Sequence, residues 1–225
     1  YNYTMSRNSV FSVGENYHLY GRGTDKRRVF LKTKDYDRFI SLLYIFNNTK
    51  TVHVSNLNSA DLEDVLSLKK EEDIVKITAY CLMPNHFHIL AQEIKEGGIS
   101  KFMQKVMTGY TMFFNKKYER TGSLFESSFK SIHVNNDNHL RYLLAYIHLN
   151  PVKIIDPLWK EKGISNKNKA KEFLKQYRHS SFSDYSGEKR DESKIIDKNA
   201  LPEYFDDFTD FEKDLDFWLN YNTKV

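Results

Sequence analysis

The 225-residue sequence contains a single cysteine, Cys81. One cysteine excludes a framework of intrachain disulfides and a zinc site built from several thiolates, and it is typical of a protein in a reducing compartment. The sequence also lacks any apolar run near the roughly 20 residues that a membrane helix needs, and it begins without a signal-peptide pattern. No internal repeat is present. We therefore expect an intracellular, cytoplasmic protein without a membrane anchor.

Positive charge is in small excess and is unevenly distributed. The formal net charge is +4, yet residues 191–225 contain ten Asp and Glu against four Lys and Arg. The remaining 190 residues therefore contain 20 acidic and 30 basic side chains. A basic body favours phosphate binding, because each neutralised phosphate releases counterions. Many soluble proteins are mildly basic, so charge alone leaves both interpretations open.

Aromatic residues make up 15% of the chain, mostly as Tyr and Phe. This content is enough for a dense core or for rings that stack on unpaired bases.

In the first 72 residues, β-formers predict a strand over 16–22, and apolar spacing predicts a helix over 34–47. Residues 48–72 are polar and charged, with a short helical pattern at 59–69, and we interpret them as an insertion.

A pair of adjacent strands is predicted near the middle of the chain. Residues 74–81 alternate in character. The side chains expected on one face of this strand are Val75, Ile77, Ala79 and Cys81. The dipeptide Pro84-Asn85 predicts a turn or bulge, and a second strand begins at once with His86.

The second half of the sequence predicts two helices. A long helix follows Gly97-Gly98, residues 124–134 are partly extended, and a helix over 137–149 is closed by Asn150-Pro151. The order of elements predicts an α+β fold in which helices cover one face of an antiparallel sheet. We assign residues 8–155 to a catalytic domain, 156–190 to a basic, polar extension, and 191–225 to an acidic, aromatic tail.

His86 and His88 are candidate metal ligands. They lie two residues apart on a predicted strand, so both project from one face while Phe87 and Ile89 point into the core. Two imidazoles in this arrangement can hold one divalent cation and leave positions open for water or a phosphate oxygen. The same spacing also describes two exposed surface histidines, and the spacing alone does not decide between these interpretations.

The helix predicted over 137–149 carries a second set of candidates. Its apolar stripe consists of Leu140, Leu143, Leu144 and Ile147. Tyr142, Tyr146 and Asn150 form a row on the flank of this stripe. A tyrosine can attack phosphorus and form a phosphotyrosine link that conserves bond energy, and an asparagine amide oxygen can bind a metal. The helical pattern alone favours the other interpretation, in which these tyrosines are ordinary packing residues.

Four blocks in the sequence resemble the IS200-like transposases, specifically the REP-associated tyrosine transposases, which are of the HUH type. The blocks are 17–23 (YHLYGRG), 80–90 (YCLMPNHFHIL, with the His-hydrophobic-His signature), 118–130 (YERTGSLFESSFK) and 146–153 (YIHLNPVK). The resemblance extends over about residues 8–185 and includes 177–182 (YRHSSF).

This resemblance implies a ferredoxin-like domain that cuts single-stranded DNA beside a hairpin, using Mg²⁺ or Mn²⁺. Cleavage would leave a 5′-phosphotyrosine and a free 3′-OH. By position in the matching blocks, the nucleophile is Tyr146, the metal ligands are His86 and His88, and the third ligand is Asn150. Tyr110 and Tyr142 are competing nucleophiles outside the matching block. Within the family, both monomers and homodimers are expected.

Six basic residues are candidate DNA contacts. They are Arg22, Lys26, Arg27, Arg28, Arg120 and Lys130. The first four follow the first predicted strand, where the backbone of a hairpin could be held, and the other two flank a glycine turn. For each of them singly, a solvated surface charge is an equally good interpretation.

Three functions follow from these features. The first is an HUH nuclease that recognises a stem-loop in nucleoid DNA, nicks single-stranded DNA and rejoins ends. The second is a domesticated hairpin-binding module with little or no turnover, which would have no need for His86, His88, Tyr146 and Asn150 together. The third is a zinc-dependent hydrolase, and the sequence lacks the His-Glu helix motif of such enzymes.

Overall fold

The computed structural model describes residues 11–50, 52, 61–202, 213 and 217. A four-stranded antiparallel sheet contains β1 (Asn16–Arg22), β2 (Val75–Met83), β3 (His86–Glu93) and β4 (Lys130–Val134). The strands lie in the order β2-β3-β1-β4. Two described helices lie between β1 and β2, and one helix connects β3 to β4. This arrangement confirms the predicted α+β, ferredoxin-like fold.

The first four α-helices agree with the sequence pattern, and four further ones follow them in the described part of the region after Pro151. They are α1 (Thr33–Phe46), α2 (Leu62–Leu66), α3 (Gly98–Lys117), α4 (Asp137–Leu149), α5 (Val152–Ile155), α6 (Trp159–Lys162), α7 (Lys167–Gln176) and α8 (Phe182–Tyr185). The predicted bounds of β1 and α4 are confirmed to the residue. Within the proposed insertion, α2 is the short helix predicted at 59–69, and residues 51 and 53–60 lie outside the described part. None of the described helices is long and apolar enough to cross a membrane.

Helices cover both faces of the sheet, so the prediction that they cover one face is wrong. On one face, α1 and α3 enclose a core that includes Phe39, Phe87 and Phe102. On the other face, α4 and the segments after it enclose a second core around Leu90 and Leu144. The physical reason is that nearly every residue of β2 and β3 is buried, and a strand buried on both faces needs a layer of helices on each.

A β-bulge divides β2 between these two cores. The pairing of β2 with β3 shifts register between Ile77 and Ala79, and the hydroxyl of Thr78 donates to the Leu90 carbonyl at 3.2 Å. Val75 and Ile77 therefore pack against α1 and α3, whereas Ala79 and Cys81 pack on the α4 side. The prediction that these four share one face is wrong, because one inserted residue reverses every later side chain.

The segment after α7 covers the outer edge of β2. The Leu82 amide donates to the His179 carbonyl at 2.9 Å, and the Ser181 amide donates to the Tyr80 carbonyl at 2.9 Å. Arg190 holds this segment by donating to the Ser180 carbonyl at 2.7 Å and to the carboxylate of Asp184. An edge strand covered in this way presents no open row of backbone groups to another chain.

Part of the predicted acidic tail packs on the body of the protein. Ile195 contributes to the core beside α1, and Leu201 contributes to the core beside α4. The rest of the tail lies outside the described residues, apart from 213 and 217. Among these residues outside the described part are the aromatic side chains Phe205, Phe208, Phe211 and Trp218.

Helix α4 is fixed at its start and along one face. The side chain of Asn136 caps the helix by accepting from the His139 amide at 2.8 Å, and Asp137 follows in the first turn, where a negative charge is favourable. The predicted apolar stripe is buried. Because this stripe packs on the sheet, the neighbouring row of the helix lies at the rim of the same sheet face.

His148 on α4 gives the fold a pH-dependent contribution to stability. Its side chain is fully buried, and Nε2 lies 2.8 Å from the Ser181 hydroxyl oxygen. Burial lowers the pKa of His148 to about 3. A folded-state pKa below the unfolded value of about 6.5 means that the contribution is complete above about pH 6.5 and is lost as the pH falls.

We expect the free energy of unfolding, measured by urea denaturation, to decrease as the pH falls from 6.5 towards 4. Each histidine that must stay neutral contributes a slope of up to about 1.4 kcal/mol per pH unit. His148→Gln cannot take up a proton and should make the slope shallower by up to this amount, while the other buried histidines keep their contributions. An unaltered slope in His148→Gln would contradict this assignment.

Candidate active site

A pocket opens on the α4 side of the sheet, where β1 ends and β3 and β4 begin. Its volume is about 290 Å³. Strand pairing places Arg22 opposite His86, and Tyr20 opposite both His88 and Lys130. The complete lining is Tyr20, Gly21, Arg22, His86, Phe87, His88, Glu126, Ser127, Lys130, Tyr146, Asn150, Lys153 and Lys160. The pocket is therefore rich in basic and aromatic side chains and contains one carboxylate.

The paired histidines project into this pocket together, as predicted. Their rings meet edge to face with centroids 5.0 Å apart, while Phe87 between them is buried in the opposite core. His86 Nδ1 lies 2.7 Å from Oδ1 of Asn85. His88 is 6% exposed, and its Nε2 has no hydrogen-bond partner among the described residues. A buried, unpaired imidazole nitrogen is unfavourable unless a ligand satisfies it.

His18 on β1 supports His88 from the side, and the sequence interpretation missed it. Its Nε2 lies 2.8 Å from Nδ1 of His88, and the two rings stack with centroids 5.0 Å apart. Burial, with a smaller effect of His139, lowers the pKa of His18 to about 3. The alternation of β1, which puts His18 and Tyr20 on one face, is the signal that could have found it.

The environment keeps the pocket histidines neutral. Burial lowers the pKa of His86 to about 4, and the positive charges of Arg22, Lys160 and Lys153 act in the same direction. Burial also holds the pKa of His88 well below its usual range, with His18 and His86 adding to the effect. A neutral imidazole with an available lone pair is the form that binds a metal ion.

Tyr146 is the candidate nucleophile that lies in the pocket. Its ring centroid is 5.6 Å from that of His88, and its hydroxyl accepts a hydrogen bond from Nζ of Lys160 at 2.9 Å. Tyr110 is buried between α3 and the sheet, where its hydroxyl donates to the Val29 carbonyl at 2.5 Å. Tyr142 is 40% exposed, lies one turn before Tyr146 and does not line the pocket.

The Tyr146 hydroxyl resists ionisation in this surrounding. Burial raises the pKa of Tyr146, and the Asn150 side chain and the charge of Lys153 partly offset this effect. Tyr20 shares the pocket, and burial together with the neighbouring Tyr146 raises its pKa as well. A phenol of this kind is a weak nucleophile unless its developing negative charge is stabilised.

Asn150 links the helix to the histidines. It is 2% exposed, and its Nδ2 donates to the Tyr146 carbonyl at 2.8 Å. It lines the same pocket as His86, and it offsets a small part of the effect of burial on the pKa of His86. Because the amide nitrogen is engaged by the helix, Oδ1 is the atom left for a ligand. The described residues contain no group of three His, Cys, Asp or Glu suited to a metal, and the role of Asn150 as third ligand stays a prediction.

The six predicted DNA contacts fall into three groups. Arg22 and Lys130 line the pocket. Lys26, Arg27 and Arg28 are exposed beside it, around the 3₁₀ turn Thr24–Lys26 that follows β1.

Arg120 does not line the pocket, because its Nη1 donates to Oδ1 of Asn115 at 2.9 Å and its guanidinium lies over the Phe114 ring. Lys153 and Lys160 complete the basic lining and were not predicted.

The fold and site define a protein of the HUH tyrosine transposase type, with paired histidines on a ferredoxin-like sheet beside a helical tyrosine. A family model described as "Transposase IS200 like" matches residues 15–150. The match covers more than half of the chain, which belongs to this family. It includes the histidine pair, Tyr146 and Asn150, and it ends before Lys153 and Lys160.

A solved structure described as a REP-associated tyrosine transposase bound to a REP hairpin is similar in fold. It aligns with a TM-score of 0.50 and 12% identity, covering 82% of this chain and 86% of the other. At this identity the likeness shows the fold alone. By its description, the solved structure belongs to the REP-associated branch that this sequence resembles. A search of curated proteins finds no match to this chain.

Proposed function

We propose that this protein is a metal-dependent endonuclease and strand transferase that recognises a DNA hairpin and cuts adjacent single-stranded DNA through Tyr146. The observation that carries the proposal is the meeting of Tyr146 and His88 in one pocket, with ring centroids 5.6 Å apart. These residues come from different elements, α4 and β3. Their juxtaposition with an unpaired imidazole nitrogen and several cations suits phosphoryl transfer better than packing alone.

The proposed reaction is a transesterification. The Tyr146 oxygen attacks phosphorus, the new O–P bond forms, and the bond from phosphorus to the 3′ oxygen breaks. The phenol proton passes to water, and the departing 3′ oxygen takes up a proton to become a 3′-OH. The 5′ end stays linked to Tyr146, so attack by a 3′-OH on the same phosphorus reverses the step and rejoins DNA.

The residues present fit a divalent cation, which we propose is Mg²⁺ or Mn²⁺. Nε2 of His88 is buried without a partner among the described residues, and Oδ1 is the atom of the Asn150 amide that does not bond to its own helix, so both are suited to ligate. Together with His86 they would hold the ion and leave positions for water and phosphate. When bound, such an ion supplies positive charge that stabilises the phosphate oxygens in the transition state.

The basic residues around the pocket are proposed to hold the DNA backbone. Arg22 and Lys130 lie closest to the reacting groups, and the exposed cations after β1 extend the basic surface away from the pocket. We propose a REP-like or transposon-end stem-loop in nucleoid DNA of the cytoplasm as the substrate. Because one chain brings Tyr146 and the histidines together, a monomer is sufficient for the site.

We expect a hairpin oligonucleotide with single-stranded flanks to form a denaturation-resistant adduct with the protein in Mn²⁺. The covalent link conserves the 5′ phosphate, so a label 3′ of the cut should stay with the protein and a label 5′ of the cut should be released. Denaturing gel electrophoresis measures both.

Tyr146→Phe should form no adduct, and Tyr142→Phe serves as the matched control that keeps it. An adduct that persists in Tyr146→Phe would refute the proposed nucleophile. Tight hairpin binding with no adduct in any metal would favour the binding module over the enzyme.

We expect Mn²⁺ binding to the DNA-free protein, measured by electron paramagnetic resonance of the free ion, to depend on the histidine pair and its support. His88→Ala should abolish detectable binding. His18→Phe should weaken it by about 10–100-fold, because the His88 ring loses the nitrogen that orients it. His133→Phe at an exposed site is the control. Equal affinity in wild type and His88→Ala would show that the ion binds elsewhere.

A further inference from the structure

We propose that Lys160 is a catalytic residue that stabilises the negative charge on the Tyr146 oxygen during cleavage and rejoining. This inference rests on the proposed function, because it assigns a role to a residue touching the proposed nucleophile. Lys160 lies in α6, ten residues beyond the part of the chain that matches the family model. It belongs to the polar extension, where its sequence context gives no sign of a catalytic role.

The geometry places the Lys160 ammonium directly on the phenol. Nζ lies 2.9 Å from the Tyr146 oxygen and 4.2 Å from the centroid of the Tyr146 ring. The neighbouring Trp159 ring has its centroid 5.6 Å from the same Nζ. The Lys160 ammonium therefore contacts both rings at the pocket wall, and it lies in hydrogen-bond contact with the oxygen that would attack phosphorus.

The surroundings strengthen this contact. The Lys160 side chain is partly removed from water. This burial lowers the pKa of Lys160, and the charge of Glu161 opposes the effect. A hydrogen bond from an ammonium to a developing oxyanion is stronger in such a place than in bulk water. The phenol needs this help, because burial disfavours the charged form of Tyr146.

The other groups near Tyr146 differ from Lys160 in their charge or in the way they act on the Tyr146 oxygen. Tyr142 and Tyr20 are neutral phenols, and the pKa of each is itself raised by burial. Lys153 acts on Tyr146 through its charge, and Asn150 through its amide. Among the described cations, only Lys160 has its nitrogen in hydrogen-bond contact with the Tyr146 oxygen.

Lys160 has the same proposed role in cleavage and in rejoining, and bonds and protons balance in each of these two steps. In cleavage, the O–P bond to Tyr146 forms and the bond to the 3′ oxygen breaks, while the phenol proton passes to water. In rejoining, a 3′-OH attacks the same phosphorus and gives its proton to water, and a new O–P bond to the 3′ oxygen forms. The bond from phosphorus to the Tyr146 oxygen breaks, its electron pair returns to that oxygen, and the oxygen takes up a proton from water. Lys160 stays an ammonium throughout and donates its hydrogen bond to that oxygen in each case.

The first test uses the free protein and needs no DNA. With 3-fluorotyrosine incorporated at position 146, the ¹⁹F resonance should move in Lys160→Met and keep its position in Lys162→Met, an exposed lysine of the same helix. A resonance that is unchanged in Lys160→Met would overturn the assignment, whether or not the protein cuts DNA.

The second test measures single-turnover adduct formation with a saturating hairpin. Lys160→Met should slow it by about 100-fold with little change in hairpin affinity, and Lys160→Arg should restore part of the rate. A trifluorotyrosine at position 146 is more acidic, so its oxyanion needs less stabilisation. It should therefore reduce the difference in the rate of adduct formation between the protein with Lys160 and Lys160→Met.

An undiminished rate in Lys160→Met, or a gap that fluorination leaves unchanged, would overturn the catalytic role. Absence of any wild-type adduct would count instead against the proposed function, and the ¹⁹F resonance would still decide the contact between Lys160 and Tyr146.

Discussion

The site depends on one constraint, which is that β3 is buried on both faces. Phe87 and Ile89 enter the core beside α1 and α3, so strand alternation forces His86 and His88 to the opposite side. Gly21 on β1 makes room for this arrangement, because a Cβ there would lie 2.7 Å from the Phe87 ring. The histidines thus have little freedom to turn away from the pocket. Their burial keeps them neutral, and their rigid strand gives the site its geometry.

Helix α4 supplies the other half of the site by the same logic. Its apolar stripe must face the sheet, and this requirement brings the adjacent row of Tyr146 and Asn150 to the histidines. Burial disfavours ionisation of the Tyr146 phenol, and it also removes water that would screen the nearby cations. A pocket that disfavours charge on its nucleophile in the resting state, and surrounds it with positive groups, is suited to a reaction in which that charge appears only transiently.

Sequence periodicity predicted the elements well and their tertiary context only partly. Local periodicity, which is two residues in a strand and three to four in a helix, predicts the bounds of β1 and α4. It also predicts that His86 and His88 share one face. The bulge at Thr78 cannot be predicted in this way, because an inserted residue does not change the pattern of a run in which every side chain is buried. The second helical layer does not follow from the sequence for a related reason. The alternation at 74–81 indicates a strand that is buried on one face alone. His18 could have been found from strand alternation, whereas Lys160 reaches Tyr146 only through folding of the polar extension.

The central claim, that Tyr146 becomes linked to DNA, is tested most directly by mapping the linkage in the protein. Trypsin cuts after Arg141 and Lys153, so nuclease-trimmed adduct should yield the peptide 142–153 with a nucleotide attached. This peptide contains both Tyr142 and Tyr146, and fragmentation in the mass spectrometer separates them. The account predicts the phosphate on Tyr146. A phosphate on Tyr142, or on a peptide containing Tyr20, would contradict it.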